Sequence, residues 1–485
     1  MLLLIPILLP LLAGAFLPLL HLKGKTLHGF IFGILLISGA SLLAVILQKE
    51  PTALTLLSFG DTLSIGLQLD AIGKLFALLN GVLFLLIALF AFRYMEHEGN
   101  ETFFFCFYLL AYSFSMLLDG ASNLVTMYLA FELITLSTFP LVLHNRQPEA
   151  LRASLKYLFY SVAGAFLALF GLLILAHYSS TLSFNFGGVL EPAAMAQHKG
   201  LLLAASFCML VGFGAKCGLY PLHGWLPAAH PVAPGPASAL LSGLIVKAGV
   251  FCCIRCLYYL VGPDFLRGTW VQLVWLILAL LTVFMGSMLA YRENKLKKRL
   301  AYSTVSQISY ILLGLGCLTS DGALGALLHT VVHATVKSGL FMVAAAIIFQ
   351  TGATMVDELA GIGKKMPWTL TAFTLLSLAL VGIPPTGGFV SKWFLALGAL
   401  NAPLNALSYL IPAVLLISAL LTAGYLLPIV VHGFLPGEGT KMVLPAGRSE
   451  ASWQMLVPIW VTAVLSLLFG VVSGPLVQYL SALLV

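Results

Sequence analysis

Glu132 lies in the apolar run 122–142 and is the one carboxylate of this sequence placed well inside a hydrophobic stretch. Lys216, Lys247, Lys337 and Lys392 stand in the same setting, each with apolar or small residues for about a turn on both sides. A charge at the centre of a hydrocarbon layer costs roughly 2.5–3.5 kcal/mol on insertion scales, and such residues mark ion pathways and proton relays. One acid and four amines in that medium are groups able to pass protons. A buried lysine loses hydration only in its charged form, and a nearby carboxylate compensates the loss. A movable contact between Glu132 and Lys216 is therefore expected to hold the proton on the amine when closed and let it leave when open.

The run LLHTVVHATVKSGLF places His329, His333 and Lys337 at i, i+4 and i+8, which stacks all three on one helix face. Imidazole can donate at one nitrogen and accept at the other, so this row with water forms a hydrogen-bonded wire. Lys247, with no acid within a helical turn, suits an intermediate relay. His223 and His230 are expected to line a cavity near a helix break. Other charges read as structural: Asp70 and Lys74 as an interfacial i, i+4 pair, and Arg255 as a snorkelling side chain. All seven cysteines fall in hydrophobic segments and read as small core residues. Cys253 and Cys256 form a CxxC with no second pair to complete a metal site. There is no Walker loop, dinucleotide fingerprint, cluster-binding cysteine set or haem attachment motif, so no cofactor is expected in this chain. Its driving energy is expected to come from a partner.

The elements that must carry these groups follow from composition. Hydrophobic residues make up 60% and charged residues 8%, with a mean hydropathy of +1.04, which excludes a soluble globular protein. The expected fold is all-α and polytopic, a single membrane domain with about 14 transmembrane helices. They fall near 2–20, 28–47, 70–92, 102–118, 121–143, 153–177, 200–222, 237–260, 270–291, 299–318, 322–349, 368–397, 405–432 and 453–483. The longest polar connections are 48–70 and 432–450, and neither separates soluble domains. The first segment lacks basic residues before its apolar run, with Lys23 and Lys25 after it, the reverse of a cleavable signal peptide. Of 24 lysines and arginines, fifteen fall in or beside odd-numbered connections and three in even-numbered ones. The positive-inside rule then puts odd connections in the cytoplasm and both termini outside a cell inner membrane. The net charge of +7 reads as topology, not as a nucleic-acid surface.

Helices 7 and 12 are interrupted, at 218–227 and at 382–388. Proline at membrane depth frees backbone groups that only protein or a watery cavity can satisfy. The breaks lie five helices apart, which predicts two inverted repeats, helices 4–8 and 9–13, and paired broken helices point to an ion site. The expected organisation is 1–100 for helices 1–3, 101–260 and 261–435 for the two repeats, and 436–485 for helix 14.

The runs YLAFELITLS, FGAKCGLYPLHGWLPAAHPVAPGPASALLSGLIVKAGVF, KKRLAYSTVSQISYILLGL, LLHTVVHATVKSGLF and GIPPTGGFVSKWF resemble the antiporter-like subunits of respiratory complex I. Subunits of Mrp-type cation/proton antiporters and of energy-converting membrane-bound [NiFe] hydrogenases belong to the same family. The resemblance spans about helices 3–13. It implies fourteen helices with inverted five-helix repeats and a central polar axis. By motif position it assigns Glu132, Lys216, Lys247, His329, His333, Lys337 and Lys392 to the proton relay. Lys392 stands where some members carry glutamate, and Ala228 where many carry an acid or amide after WLP. The resemblance also implies membrane partners of a complex I-like or hydrogenase assembly, and peripheral redox subunits carrying iron-sulfur clusters and, in hydrogenases, NiFe. With Val485 closing the sequence soon after helix 14, no long lateral helix is expected. The expected function is proton or sodium translocation as part of a redox-driven pump, with protons passing from Lys216 or Lys247 through helix 11 to Lys392. The alternatives are an Mrp-type Na+/H+ antiporter without a redox partner, and a scaffold with an inactive path.

Overall fold

The computed structural model describes residues 2–48, 53–59, 63–437 and 450–483, nearly all of them helical. In chain order the first elements are α1 (Ile5–Leu20), α2 (Gly24–Ile46), β1 (Leu54–Phe59), β2 (Leu63–Leu67), α3 (Ala71–Glu98), α4 (Glu101–Asp119), α5 (Leu124–Val142) and α6 (Pro148–His177). The broken pair α7a (Lys199–Cys217) and α7b (Leu226–Val232) follows, then α8 (Gly235–Leu260), α9 (Trp270–Arg292), α10 (Leu296–Gly316) and α11 (Ser320–Thr351). A second broken pair, α12a (Pro367–Val381) and α12b (Gly387–Leu400), precedes α13 (Ala406–Phe434) and α14 (Trp453–Val471).

Among the described residues twelve helices are long and apolar enough to cross a membrane. The other expected spans fall short for identifiable reasons. α10 carries Lys297, Lys298 and Arg299 in its first turn and the polar Ser303, Thr304, Ser306, Gln307 and Ser309 beyond it, and α12 is split into pieces of 15 and 14 residues. Both breaks begin on a glycine in the left-handed region, Gly218 at φ 77° and Gly382 at φ 92°, where a side chain would be strained. Each then contains a cis X-Pro peptide, Tyr220–Pro221 and Pro384–Pro385. α8 is not a uniform α-helix: it widens into π turns at Leu241–Ile245 and Arg255–Leu260, irregularities common at functional positions.

The polar connection 48–70 holds more structure than its composition announces. β1 and β2 pair antiparallel, from Leu54 opposite Leu67 to Phe59 opposite Leu63. The hairpin is tied to the start of α5: Gly66 N donates to Thr126 Oγ1 at 2.9 Å, and Asn123 Nδ2 donates to Ser64 O at 2.9 Å. Asn123 is also the α5 N-cap, accepting from Thr126 N. The middle of the second polar connection, with Lys441 and Arg448, and Lys49 of the first lie outside the described residues.

The chain divides into two compact units. The first contains residues 1–85, 99–222 and 245–275. Within it α6 lies almost backbone to backbone on α7a, because small residues face each other. A Cβ on Gly212 would meet Gly164 O at 2.4 Å, and one on Gly171 would meet Ala205 O at 2.3 Å. That close approach turns the end of α7a, with Lys216, toward α5 and α6. The second unit contains residues 86–98, 223–244 and 276–485. Its axis is α11, buried along nearly its whole length and packed by α10, α12a, α12b, α14 and the start of α8. A Cβ on Gly325 would lie 2.5 Å from Leu395 N, so α12b rides directly on α11.

Candidate functional site

In the first unit Lys216 is wholly buried at the end of α7a. Its ammonium donates to Thr135 Oγ1 at 2.6 Å and to Tyr157 OH at 3.0 Å. The rings of Phe131 and Tyr157 lie 5.4 and 5.1 Å from Nζ, within cation–π range. Tyr157 OH is in turn 2.7 Å from Thr138 Oγ1. Thr135 sits three residues after Glu132, so the ammonium is anchored one turn along the helix that carries the acid. Glu132 itself is partly buried and accepts from Tyr128 OH at 3.3 Å. The two groups act on each other electrostatically, yet no ion pair joins them among the described residues. The expected contact is thus open here, with hydroxyls occupying the amine. Lys247 is buried on α8, which packs on α7a so closely that a Cβ on Gly249 would meet Lys216 Cβ at 3.1 Å.

In the second unit the three groups of α11 lie on one face as their spacing predicts. The rings of His329 and His333 stack with centroids 5.8 Å apart, and His329 stacks on Tyr310 at 5.5 Å. His329 Nδ1 is 2.9 Å from Ser391 Oγ, and its Nε2 is 3.1 Å from Gln307 Oε1. Lys337 is wholly buried and donates to Ser303 Oγ at 2.6 Å and to Leu300 O at 3.0 Å. Those two acceptors lie on α10, so the lysine ties α11 to its neighbour. Lys392 bonds the carbonyls freed by the α12 break, Leu380 O at 2.6 Å and Val381 O at 2.8 Å. Its Nζ also lies 5.2 Å from the Tyr310 ring. The broken helix therefore does for Lys392 what hydroxyls do for Lys216: it supplies acceptors to an amine away from bulk water.

The two histidines of the first break differ. His223 is half-buried, whereas His230 is fully buried and stacks on Phe341 of α11 at 4.5 Å. His230 O accepts from Ser238 Oγ at 3.1 Å.

Two expectations about structural charges need correction. Asp70 pairs with Arg255, not with Lys74: the guanidinium donates to both carboxylate oxygens at 2.6 and 2.7 Å. Arg255 does not snorkel either, being 1% exposed and ringed by Phe184, Phe251 and Tyr259 at 4.6–4.9 Å. The reason is tertiary. The π turn at the end of α8 points residue 255 inward, and a partner 185 residues away in sequence is there to receive it.

Several buried polar residues escaped sequence reasoning. Asp119, the last residue of α4, is 1% exposed and accepts from Asn80 Nδ2 at 2.6 Å, so Glu132 is not the only carboxylate taken out of water. Its place at the end of a span hid it. Thr135 was findable from its position one turn from Glu132. Tyr157, Ser303, Gln307 and Ser391 were not, since each meets its amine or imidazole across helices. Among the described residues no group of three or more His, Cys, Asp or Glu is placed to hold a metal ion.

Against known proteins, the sequence matches the family described as NADH:quinone oxidoreductase/Mrp antiporter, TM, over residues 121–434. It is 32% identical to the NADH-quinone oxidoreductase subunit N of Desulforudis audaxviator, over 82% of each chain. It is 31% identical to a Na(+)/H(+) antiporter subunit of Alkalihalophilus pseudofirmus, over 99% of this chain and 95% of that one. A chain in the structure of the membrane-bound sulfane sulfur reductase, an archaeal respiratory membrane complex, superposes with a TM-score of 0.84 at 28% identity, covering 99% of this chain and 77% of that one. With buried amines and histidines held in polar cages inside a multi-pass helical fold, and with these matches, the chain belongs to the NADH:quinone oxidoreductase/Mrp antiporter transmembrane family.

Proposed function

We propose that this chain is the ion-translocating membrane subunit of a multi-subunit, redox-driven pump, either an energy-converting membrane-bound hydrogenase or a complex I-like oxidoreductase. Its cargo is the proton, with sodium the alternative ion. The observation that carries the reading is the Lys216 ammonium, held without exposure on Thr135 and Tyr157 one turn from Glu132. Two hydroxyl acceptors stabilise the loaded amine, and movement toward Glu132 exchanges them for a carboxylate. In this reading Lys216 and Lys247 load from the cytoplasm. His329, His333 and Lys337 pass the charge on, and Lys392 releases it outside. His223 and His230 line the entry at the α7 break. The chain sits in the cytoplasmic membrane with both termini outside, as the distribution of lysine and arginine supports. Redox centres reside on peripheral partner subunits, and this chain carries none.

The experiment is pumping by the reconstituted complex with Glu132→Gln or Lys216→Met. Each is expected to abolish translocation while the complex still assembles; undiminished pumping in both variants would sink the mechanism. A second reading, a secondary Mrp-type antiporter without a redox partner, draws on the near full-length match to a Na(+)/H(+) antiporter chain. Copurification separates the two readings, because redox subunits accompany the pump and only membrane subunits accompany the antiporter.

A further inference from the structure

The two ring nitrogens of His329 face partners of different kinds. Nε2 faces Gln307 Oε1 at 3.1 Å, and an amide oxygen only accepts, so Nε2 carries a hydrogen in this arrangement. Gln307 is fully buried and also interacts with Tyr310, the ring stacked on His329. Nδ1 faces Ser391 Oγ at 2.9 Å, and a hydroxyl both donates and accepts. Ser391 has a second acceptor in reach, Gly388 O at 3.1 Å.

These contacts satisfy His329 in two protonation states without moving a heavy atom. In the neutral ring, the Ser391 hydroxyl donates to Nδ1. In the imidazolium, Nδ1–H donates to Ser391 Oγ, and the hydroxyl hydrogen turns to Gly388 O. In both, Nε2–H stays on Gln307. Among the described contacts, the titratable groups about the ring are Tyr310 and His333, stacked on it at 5.5 and 5.8 Å, and Lys392, whose Nζ lies 5.2 Å from the Tyr310 ring. Ser391 precedes Lys392 on α12b, the helix next in use in the reading above.

We propose that Ser391 passes the proton to and from His329 Nδ1, and that Gln307 is a positioning residue that pins Nε2–H, so His329 is loaded and unloaded at one nitrogen and hands its charge on through the Ser391 hydroxyl. The step balances: a proton arriving at Ser391 Oγ forms a new O–H bond as the original hydroxyl proton moves to Nδ1, and release runs the same exchange backwards. The inference rests on the translocation reading and adds to it the atom at which the charge is exchanged.

The test is proton transport, with its pH profile, by the reconstituted complex carrying Ser391→Ala, Ser391→Thr or Gln307→Met, with Glu132→Gln alongside. Ser391→Ala is expected to slow transport about a hundredfold or more, the scale of a positioned proton-transfer group, and Ser391→Thr to recover most of it. Gln307→Met is expected to slow transport and alter its pH profile, because Nε2 is then free to exchange as well. Wild-type rate and profile in Ser391→Ala overturns the inference. If Ser391→Ala does not assemble, an unchanged profile in Gln307→Met overturns it instead. Should Glu132→Gln block transport while these variants do not, the inference alone falls. Should Glu132→Gln also transport normally, the translocation reading falls and takes the inference with it.

Discussion

Thr135→Val is the substitution that most directly tests how Lys216 is held. Valine keeps the shape of threonine and removes only the hydroxyl that accepts from Nζ at 2.6 Å. Thr135 and Lys216 are both fully buried, so water is not at hand to replace the lost acceptor. A hydrogen bond to a charged group is worth about 1.5–3 kcal/mol. With 1.4 kcal/mol per factor of ten, the hold on a charged Nζ weakens roughly ten- to a hundredfold. If the ammonium is the loaded state, proton uptake by proteoliposomes containing the complex should slow by about that factor. Tyr157 OH, at 3.0 Å, remains as a partner and sets the lower end of the range. Thr138→Val is the matched control, since Thr138 reaches Lys216 only through Tyr157 and should change transport by much less. Wild-type transport in Thr135→Val, measured where Glu132→Gln is inactive, would refute the view that the hydroxyl cage stabilises the loaded amine.

Asp70→Ala strands the buried Arg255 guanidinium. It should destabilise the subunit by about 3–5 kcal/mol, read as earlier thermal unfolding in detergent. Replacing both charges, Asp70→Leu with Arg255→Met, should recover most of that loss, and no recovery would mean the pair is needed for more than mutual neutralisation. Gly212→Val forces α6 from α7a, because even a Cβ would sit 2.4 Å from Gly164 O, so folded yield and transport should both collapse. Gly200→Val, where a Cβ meets nothing within 4 Å, should be tolerated. For orientation, a membrane-impermeant thiol reagent should label Glu293→Cys from the cytoplasmic face and Asp264→Cys from the outer face; the opposite pattern would invert the topology.

How far the chain could be read from its letters is clearest in α11 and α8. His329, His333 and Lys337 repeat at four residues, and helical geometry alone puts them on one face, where they are found. The proline-bearing runs 218–227 and 382–388 announced both breaks, because a missing backbone donor is a local property of residue type; the left-handed glycines that open them, Gly218 and Gly382, are seen in the structure. Arg255 shows the limit. On an ideal helix it reads as a side chain reaching for the surface, but a π turn and a distant aspartate make it a buried ion pair. The hairpin in the connection 48–70 and the burial of Asp119 at a helix end were hidden for the same reason: both depend on what packs over them.

The sequence by itself determined the solvent, the order of the helices, the places where two of them must break, and that Lys216, Lys247, His329, His333 and Lys337 are forced out of water. Those are consequences of hydropathy, periodicity and backbone chemistry, which act over a turn or two. Only the tertiary structure decided what each buried charge touches. Lys216 rests on Thr135 and Tyr157 with Glu132 one turn off, Lys392 takes the carbonyls of the α12 break, and His329 stands between Ser391 and Gln307. Most of these contacts join residues that lie on different helices. In a low-dielectric interior the state of an amine or imidazole is set by its few nearest polar atoms, and most of those atoms arrive from elsewhere in the chain.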